Sequence, residues 1–282
     1  MRKIIYALAA FMVSVALTYA QESDSTSMEN DSIAASSASH NSSMGTLSGS
    51  LNGELTKEMG DSAYIRGDYP AAIEIYEGLL QKGESATVYY NLGNSYYKNK
   101  DIARAILNYE RAHLLDPGNS DIKFNLEMAR SKTVDKVDTV GSFFLADWYN
   151  ALRNCYSTNQ WAGGAVTCFI LLLASVGLYI FGRNIRLKKI GFSTAVLFLI
   201  LTVLTNIFAS QQKNLLVNRN SAIIMSPSVT VKSTPDAGGT ELFILHEGHK
   251  VSIKDASMKE WREIQLEDGS IGWVPKEVLE VI

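Results

Sequence analysis

The chain has 282 residues, a formal net charge of -3 and 46% hydrophobic residues. This mild acidity gives no electrostatic footprint for nucleic acid, so a nucleic-acid partner is not expected. The average hides a polar N-terminal part and two long charge-free apolar runs, and the length leaves room for two small soluble domains beside them.

The first 50 residues are predicted to contain no folded domain. Residues 1–20 have the pattern of a secretory signal peptide, with basic Arg2 and Lys3, an apolar run and small residues at a cleavage site. Residues 21–50 are rich in Ser, Asn, Asp and Glu and have few large apolar side chains, which predicts a disordered polar spacer. A signal peptide directs the domain that follows it out of the cytoplasm.

Residues 51–133 contain two segments that align with each other, Gly60–Leu80 and Gly93–Pro117. Their offset of about 33 residues is close to the 34 of a tetratricopeptide repeat. The second segment also carries the Leu-Gly, Tyr, Ala, aromatic, Ala and Pro pattern, so this region resembles that family. The resemblance implies antiparallel helix pairs, and a third helix, Ser120–Lys132, is predicted to cap them. Because two repeats fall below the usual minimum of three, we expect a partner or the membrane to cover the remaining surface.

Small and aromatic residues are expected where the repeat helices pack against each other. Gly93 and Ala105 are predicted at the crossing of the two helices of one hairpin, and Tyr96 and Tyr109 between neighbouring hairpins. Lys100 occupies the usual glycine position of the second internal turn. The full packing set is Gly60, Ala72, Tyr76, Leu92, Gly93, Tyr96, Ala105, Tyr109, Ala112 and Pro117, the last of which is predicted to end a helix.

The family resemblance also implies a peptide-binding groove on the concave face, lined by the first helix of each pair. Asparagine side chains there offer both a donor and an acceptor to a bound backbone. The alternative is that these positions are ordinary solvated helix residues. The candidate groove residues are Lys57, Asp61, Tyr64, Tyr90, Asn91, Asn94, Tyr97, Lys98 and Asn125.

Residues 141–160 are rich in aromatic side chains, including Phe144, Trp148 and Tyr149. Amphipathic rings settle at the membrane–water interface, so we predict a short interfacial helix. The competing interpretation is a helix docked on the repeat domain.

Two charge-free apolar runs follow, at residues 161–181 and 190–210. A helix of about 20 residues crosses the roughly 30 Å hydrocarbon core, so the sequence predicts two transmembrane helices. Neither run has an ionisable residue, which favours an anchor over a pump or channel. The connecting residues 182–189 lack acids and carry Arg183, Arg186, Lys188 and Lys189. Short basic loops stay cytoplasmic, which predicts a two-pass bacterial inner-membrane protein with both soluble domains in the periplasm.

Residues 220–282 alternate short Val- and Ile-rich runs with turn signals such as Asp268-Gly269. Five strands are predicted, at Val229–Lys232, Glu241–His246, Lys250–Lys254, Trp261–Leu266 and Ile271–Val274. The segments VTVKSTPD, LHEGHKVSI and WREIQLEDGSIGWV resemble a bacterial SH3 domain, which implies a small all-β barrel. Trp261 and Trp273 are candidates for an SH3-like ligand groove, with core filling as the alternative for at least one of them.

No side-chain pattern typical of catalysis is found. His246 and His249 are spaced too closely, at a predicted turn, for the helical HExxH zinc motif. The sequence has no phosphate-binding loop and no cysteine cluster. We therefore expect no catalytic residue, metal or cofactor, and a protein that is not an enzyme.

The order of the segments resembles the BatE family of the Bacteroides aerotolerance operon. The most specific parts are ERAHLLDPGNSDIKFNLEMARSKTVDKVD and the following FFLADWY. The resemblance implies a multi-domain membrane protein with all-α repeat hairpins, two transmembrane helices and an SH3-like barrel. It also implies von Willebrand factor A-domain partners from the same operon and a role in oxygen tolerance or envelope stress. We expect a scaffold for other membrane proteins, with a peptidoglycan-binding cell-wall sensor as the alternative.

Overall fold

A computed structural model describes residues 55–135 and 144–282. The predicted signal peptide and spacer, and the first three residues of the predicted interfacial segment, lie outside these ranges. The helices are α1 (Lys57–Ile65), α2 (Tyr69–Leu80), α3 (Ala86–Lys98), α4 (Ile102–Leu115), α5 (Ser120–Arg130), α6 (Phe144–Arg153), α7 (Thr158–Phe181) and α8 (Ile185–Val217). The strands are β1 (Ser221–Ile224), β2 (Ser228–Lys232), β3 (Glu241–His246), β4 (Lys250–Asp255), β5 (Trp261–Gln265), β6 (Ile271–Pro275) and β7 (Leu279–Val281).

The described chain divides into two compact units. One contains Ala162–Asn206, which makes up most of α7 and α8. The other contains the helical repeat region, α6, the end of α8 and the C-terminal sheet.

Side-chain caps explain where the repeat helices begin. The carboxylates of Asp68 and Asp101 accept hydrogen bonds from backbone amides in the first turns of α2 and α4. Ser85 and Asn119 cap α3 and α5 in the same way. These contacts pair amides that have no partner inside the helix. Helix α4 ends at Leu115, since a residue that precedes proline, here Asp116, is disfavoured in helical conformation.

The turn inside each hairpin requires a left-handed backbone residue. Gly67 joins α1 to α2 with φ at 80°, and Lys100 joins α3 to α4 with φ at 68°. Glycine adopts this conformation without a steric penalty, whereas lysine does not. The lysine seen at the usual glycine position therefore keeps the glycine geometry.

A tyrosine ring lies against a glycine in each hairpin. A Cβ atom built on Gly60 would lie 2.4 Å from the Tyr76 ring, and one built on Gly93 would lie 2.7 Å from the Tyr109 ring. Tyr109 thus packs inside its own hairpin and not between hairpins as predicted, because only the missing side chain of Gly93 leaves room for the ring. Tyr96 does bridge the hairpins, since its hydroxyl donates to Glu77 on α2.

The chain's own sheet packs against α4 of the repeat region. Ile223 and Ile282 are buried in the same apolar cluster as Ile106 and Tyr109 of α4. Helix α5 completes that cluster with Leu126 and Ala129. Neither a partner nor the membrane is needed for this part of the surface, which corrects the sequence-based expectation.

The C-terminal sheet is antiparallel, with the strand order β3-β2-β6-β5-β4-β1-β7. Five of its strands coincide with the predicted ones to within one residue at either end, whereas β1 and β7 were not predicted. Its core is made of Ala222, Ile224, Val229, Val231, Leu245, Val251, Ile264 and Val274.

Helices α7 and α8 are each long and apolar enough to cross a membrane. Gly191 permits close contact between them, since a Cβ atom there would lie 2.7 Å from the Tyr179 amide nitrogen. The predicted loop 182–189 is too long, because α8 begins at Ile185. The Lys188 amide donates to the Asn184 carbonyl at 3.1 Å, so Arg186, Lys188 and Lys189 lie in the first turns of α8.

Candidate functional site

Six of the nine predicted groove residues belong to two hydrogen-bond networks on the faces of α1, α3 and α5. In the first network, Asp61 accepts from Lys57 Nζ at 2.6 Å and from Asn91 Nδ2 at 2.9 Å. It also accepts from the Tyr76 hydroxyl at 2.6 Å. Both carboxylate oxygens of Asp61 are therefore engaged within its own chain, and Asp61 acts as the acceptor that positions Asn91.

The second network is centred on Asn94. Its Oδ1 atom accepts from the Tyr109 hydroxyl at 2.8 Å and from Asn125 Nδ2 at 3.0 Å. Asn125 Nδ2 also donates to the Tyr90 hydroxyl at 2.9 Å. These contacts fix the orientation of the Asn94 and Asn125 side-chain amides. When one atom of an amide group is held by a hydrogen bond, the direction of the other atom is determined.

Three amide atoms of these networks have no hydrogen-bond partner among the described residues. They are Asn91 Oδ1, Asn94 Nδ2 and Asn125 Oδ1. All three side chains are only half-buried. The face therefore presents one donor and two acceptors in positions set by the rest of the network.

A cavity of about 270 Å³ lies between α1 and α3. Its walls are Asp61, Tyr64, Ile65, Tyr76, Asn91 and Asn94. Ile65 is 82% exposed, so this cavity opens beside an uncovered apolar side chain. Its size suits one large side chain of a bound segment.

The ionisable groups here keep fixed roles near neutral pH. Burial tends to raise the pKa of Asp61, but hydrogen bonds from Lys57, Tyr76 and Asn91 outweigh it and lower the pKa. Burial raises the pKa of Tyr76, and its hydrogen bond to Asp61 adds to the shift. Burial also raises the pKa of Tyr109. Asp61 therefore remains an acceptor, and both tyrosines remain donors.

The other predicted groove residues are more scattered. Tyr64 stacks edge-on against Tyr69 at 5.5 Å between ring centroids, and Tyr97 packs against the apolar cluster. Lys98 is exposed at the end of α3. Sequence reasoning missed Ile65 and Phe124. Phe124 is 69% exposed and directly precedes Asn125, just as Tyr90 directly precedes Asn91 in the preceding repeat. The repeat offset of about 34 residues was the signal that would have found Phe124.

Trp261 and Trp273 lie on the face of the sheet that points away from its core. Side chains alternate along a strand, and Ile264 and Val274 are the fully buried residues of β5 and β6. Trp261 pairs with Pro275 and Trp273 with Glu263, so the two indoles occupy diagonal positions on one face. Neither tryptophan fills the core, which was the alternative left open for at least one of them.

Charged contacts join the repeat region to the sheet, and sequence reasoning missed them. Glu110, only 3% exposed, pairs with Lys250 at 2.8 Å and with Arg130. Although burial opposes it, attraction by these cations lowers the pKa of Glu110. Arg111 also pairs with Glu280 of β7 at 3.2 Å, and Arg219, just before β1, pairs with Glu84 at 2.7 Å. Asp135 makes a polar contact of 2.7 Å with the His246 imidazole of β3.

His246 and His249 are thus partly accounted for by contacts within the chain. His249 lies 3.8 Å from the same Asp135 carboxylate that bonds His246. Within residues 55–135 and 144–282 no group of three or more His, Cys, Asp or Glu side chains could hold a metal ion.

Comparison with known proteins identifies one part of this architecture. A family model described as tetratricopeptide repeat matches residues 86–119, the segment that contains α3 and α4. No curated protein sequence matches the chain. The matched segment is a tetratricopeptide repeat and implies protein partners in general. It contains Asn91 and Asn94, two of the three groove residues that have an unpaired amide atom.

Proposed function

We propose that the protein is a non-enzymatic, membrane-anchored scaffold whose repeat groove binds an extended segment of a partner protein. The observation that carries this proposal is the set of oriented but unpaired amide atoms on Asn91, Asn94 and Asn125. An extended backbone offers both N–H and C=O groups, which are the complements of these atoms. Because the amides are already held in place, little side-chain entropy is lost when a segment binds.

The apolar side chains around the amides define the class of partner segment. Ile65 on α1 and Phe124 on α5 are 82% and 69% exposed, and Tyr64 on α1 and Tyr90 on α3 are half-buried. Asp61 is engaged with Lys57 and does not offer a free charge. A segment with large uncharged side chains fits this surface better than a strongly acidic or basic one.

The membrane-anchoring role rests on α7 and α8 and on the contacts between the parts that flank them. Ile223 and Ile282, which follow α8, share a core with α4, which precedes α7. The chain must therefore return to the side it left, so either both helices cross the bilayer or neither does. Each helix contains an apolar stretch long enough to span the hydrocarbon core, which favours crossing.

The periplasmic orientation and physiological role come from sequence patterns. The predicted signal peptide and the basic residues between the apolar runs favour soluble domains in the periplasm. The segment order is similar to the BatE family, which favours von Willebrand factor A-domain partners and a role in oxygen tolerance or envelope stress. The seven-stranded sheet takes the place of the SH3-like domain in that arrangement.

Affinity purification of the full chain from mild detergent, followed by mass spectrometry, tests the scaffold. The tag belongs in residues 21–50, because the C-terminal Ile282 is only 4% exposed. We expect stoichiometric recovery of another membrane protein, and a loss of most of it when Ile65 and Phe124 are both changed to Asp.

The matched control is Ile244→Asp. Ile244 is also an exposed isoleucine, at 58%, but it lies on the sheet and outside the groove. It is expected to leave recovery unchanged. Equal recovery by the wild type and the folded double variant would show that the groove does not bind the partner.

A second candidate function is peptidoglycan binding by the aromatic face of the sheet. It is favoured by the position of Trp261 and Trp273 on the face away from the core, where Ile271, two residues before Trp273 on β6, is also exposed. Sedimentation of the full chain in detergent with purified wall material tests it. We expect Trp273→Ala to reduce the sedimented fraction, and a wild-type protein that stays in the supernatant would eliminate this function.

A further inference from the structure

Helix α6 presents an apolar side chain to solvent at every turn of one face. Phe144 is 69% exposed and Trp148, four residues later, is 65% exposed. Ala151 is exposed at the next turn, and Cys155 and Tyr156 are exposed just after the helix ends. Residues spaced in this way share one side of a helix. A surface helix in water normally turns such a face toward a core.

Contacts on the other side of α6 hold this orientation. The Tyr149 hydroxyl donates to Gln211 Oε1 at 2.8 Å, and its ring lies 5.5 Å from that of Phe208. The carbonyl of Arg153 accepts from Trp161 Nε1 at 2.9 Å and from Gln212 Nε2 at 3.1 Å. Because Tyr149 and Arg153 on this opposite side are held by these contacts, α6 cannot turn Trp148 inward without breaking them.

We propose that α6 lies in the headgroup–acyl boundary of a phospholipid bilayer, with Trp148 as its main anchor. Interfacial helices bury an apolar face about 5–10 Å into this boundary. Tryptophan suits that depth, since its ring is apolar while its N–H group can bond to water or headgroups. The occupant of the exposed face is therefore lipid rather than protein.

Continuity with the apolar helices supports lipid as the occupant. Only Asn154–Ser157 separate the end of α6 from the start of α7, which is long and apolar enough to cross a membrane. A chain segment so close to a membrane span stays near the interface. This inference rests on the proposed membrane anchoring, and it adds a second, in-plane attachment that fixes the chain segment before α7.

Quenching of tryptophan fluorescence tests the proposal on the full chain in lipid nanodiscs. The acyl chains carry bromine near the carboxyl end, and the emission of Trp148 is obtained by subtracting the spectrum of Trp148→Phe from that of the wild type. We expect blue-shifted emission and a loss of most of this component in brominated lipid. The matched control, Trp261→Phe, removes an indole of the sheet, and its difference spectrum is expected to show no quenching.

Trp161, close to the start of α7, separates this inference from the anchoring it rests on. If the Trp161 component is quenched and the Trp148 component is not, anchoring stands and the interfacial helix is refuted. If neither is quenched, both proposals fail. Blue-shifted but unquenched Trp148 emission would also refute the interfacial helix, because protein and not lipid would then cover the exposed face of α6.

Discussion

The two hairpins of the repeat region place equivalent residues at equivalent positions but give them different surroundings. Tyr76 lies over Gly60 and Tyr109 over Gly93. The glutamates that follow these tyrosines, Glu77 and Glu110, also correspond, yet Glu77 is exposed whereas Glu110 is 3% exposed under the sheet. A repeat thus sets where a side chain lies, and the neighbouring element sets what that side chain must do.

The largest predicted effect concerns these two glutamates. Glu110→Ala leaves the Lys250 and Arg130 charges without their partner, and removing one member of a buried ion pair costs about 3–5 kcal/mol. We expect a loss of about 3 kcal/mol in the free energy of unfolding, because the side chains of Lys250 and Arg130 are each about a third exposed to solvent. Urea unfolding of the full chain in mild detergent measures the loss.

The matched variant is Glu77→Ala in the first hairpin, which removes only the acceptor for the Tyr96 hydroxyl. We expect a loss of about 1 kcal/mol. Equal losses for the two variants would mean that the contact with the sheet adds nothing to the stability of the second hairpin.

The second prediction tests what the hairpins share. Gly60→Ala and Gly93→Ala each push a methyl group into a buried tyrosine ring, for which we expect about 1–3 kcal/mol of destabilisation. Thermal melting followed by far-ultraviolet circular dichroism measures both. Gly83→Ala is the control, since no atom lies within 4 Å of a Cβ built there. If Gly83→Ala is as costly as the other two, ring contact is not the cause.

The third prediction sharpens the contrast between the two turns. Lys100→Gly relieves a left-handed lysine and is expected to stabilise the protein by about 1 kcal/mol. Gly67→Lys introduces the same strain in the first hairpin and is expected to destabilise it by about as much. The urea midpoints of the two variants should move in opposite directions, and movement in the same direction would contradict the backbone argument.

The smallest predicted effect is a dependence of stability on pH that belongs to the second hairpin. Burial lowers the pKa of His113, whereas the aligned residue of the first hairpin is Leu80. As the pH falls below about 6.5, His113 is protonated in the unfolded chain before it is protonated in the folded one. The free energy of unfolding therefore decreases as the pH falls. Burial also lowers the pKa of His249, which contributes in the same direction.

His113→Leu is expected to flatten the fall of the urea midpoint between neutral pH and pH about 5.5, since one proton contributes at most about 1.4 kcal/mol per pH unit. His249 remains and keeps part of the slope. An unchanged pH profile in a variant of normal stability at neutral pH would show that His113 takes no part.

Local patterns in the sequence predicted most of the secondary structure. Pro117 predicted the end of α4, and alternation with turn signals predicted five strands. Strand β1 was missed because it follows α8 after only three residues, and β7 because it has only three residues. The start of α8 was placed too late because basic residues were assigned to a loop, although nothing between Ile185 and Lys189 breaks a helix.

The groove was only partly predictable. The repeat register located Asp61, Asn91, Asn94 and Asn125 on adjacent helices. It could not show that Asp61 is fully occupied by Lys57, Tyr76 and Asn91, because those contacts depend on side-chain rotamers. The junction with the sheet left no local pattern at all, since it joins residues such as Glu110 and Lys250 that are 140 positions apart.

The core shared by α4 and the sheet has a consequence for how the protein is made. Arg111 contacts Glu280, which lies 169 positions later in the chain. During synthesis, the repeat helices are made well before the residues that cover them, and the two apolar helices are made in between. Ile106 and its neighbours therefore remain uncovered until Ile223 and Ile282 have been made. A product that stalls before these residues would leave this surface open to proteases and chaperones.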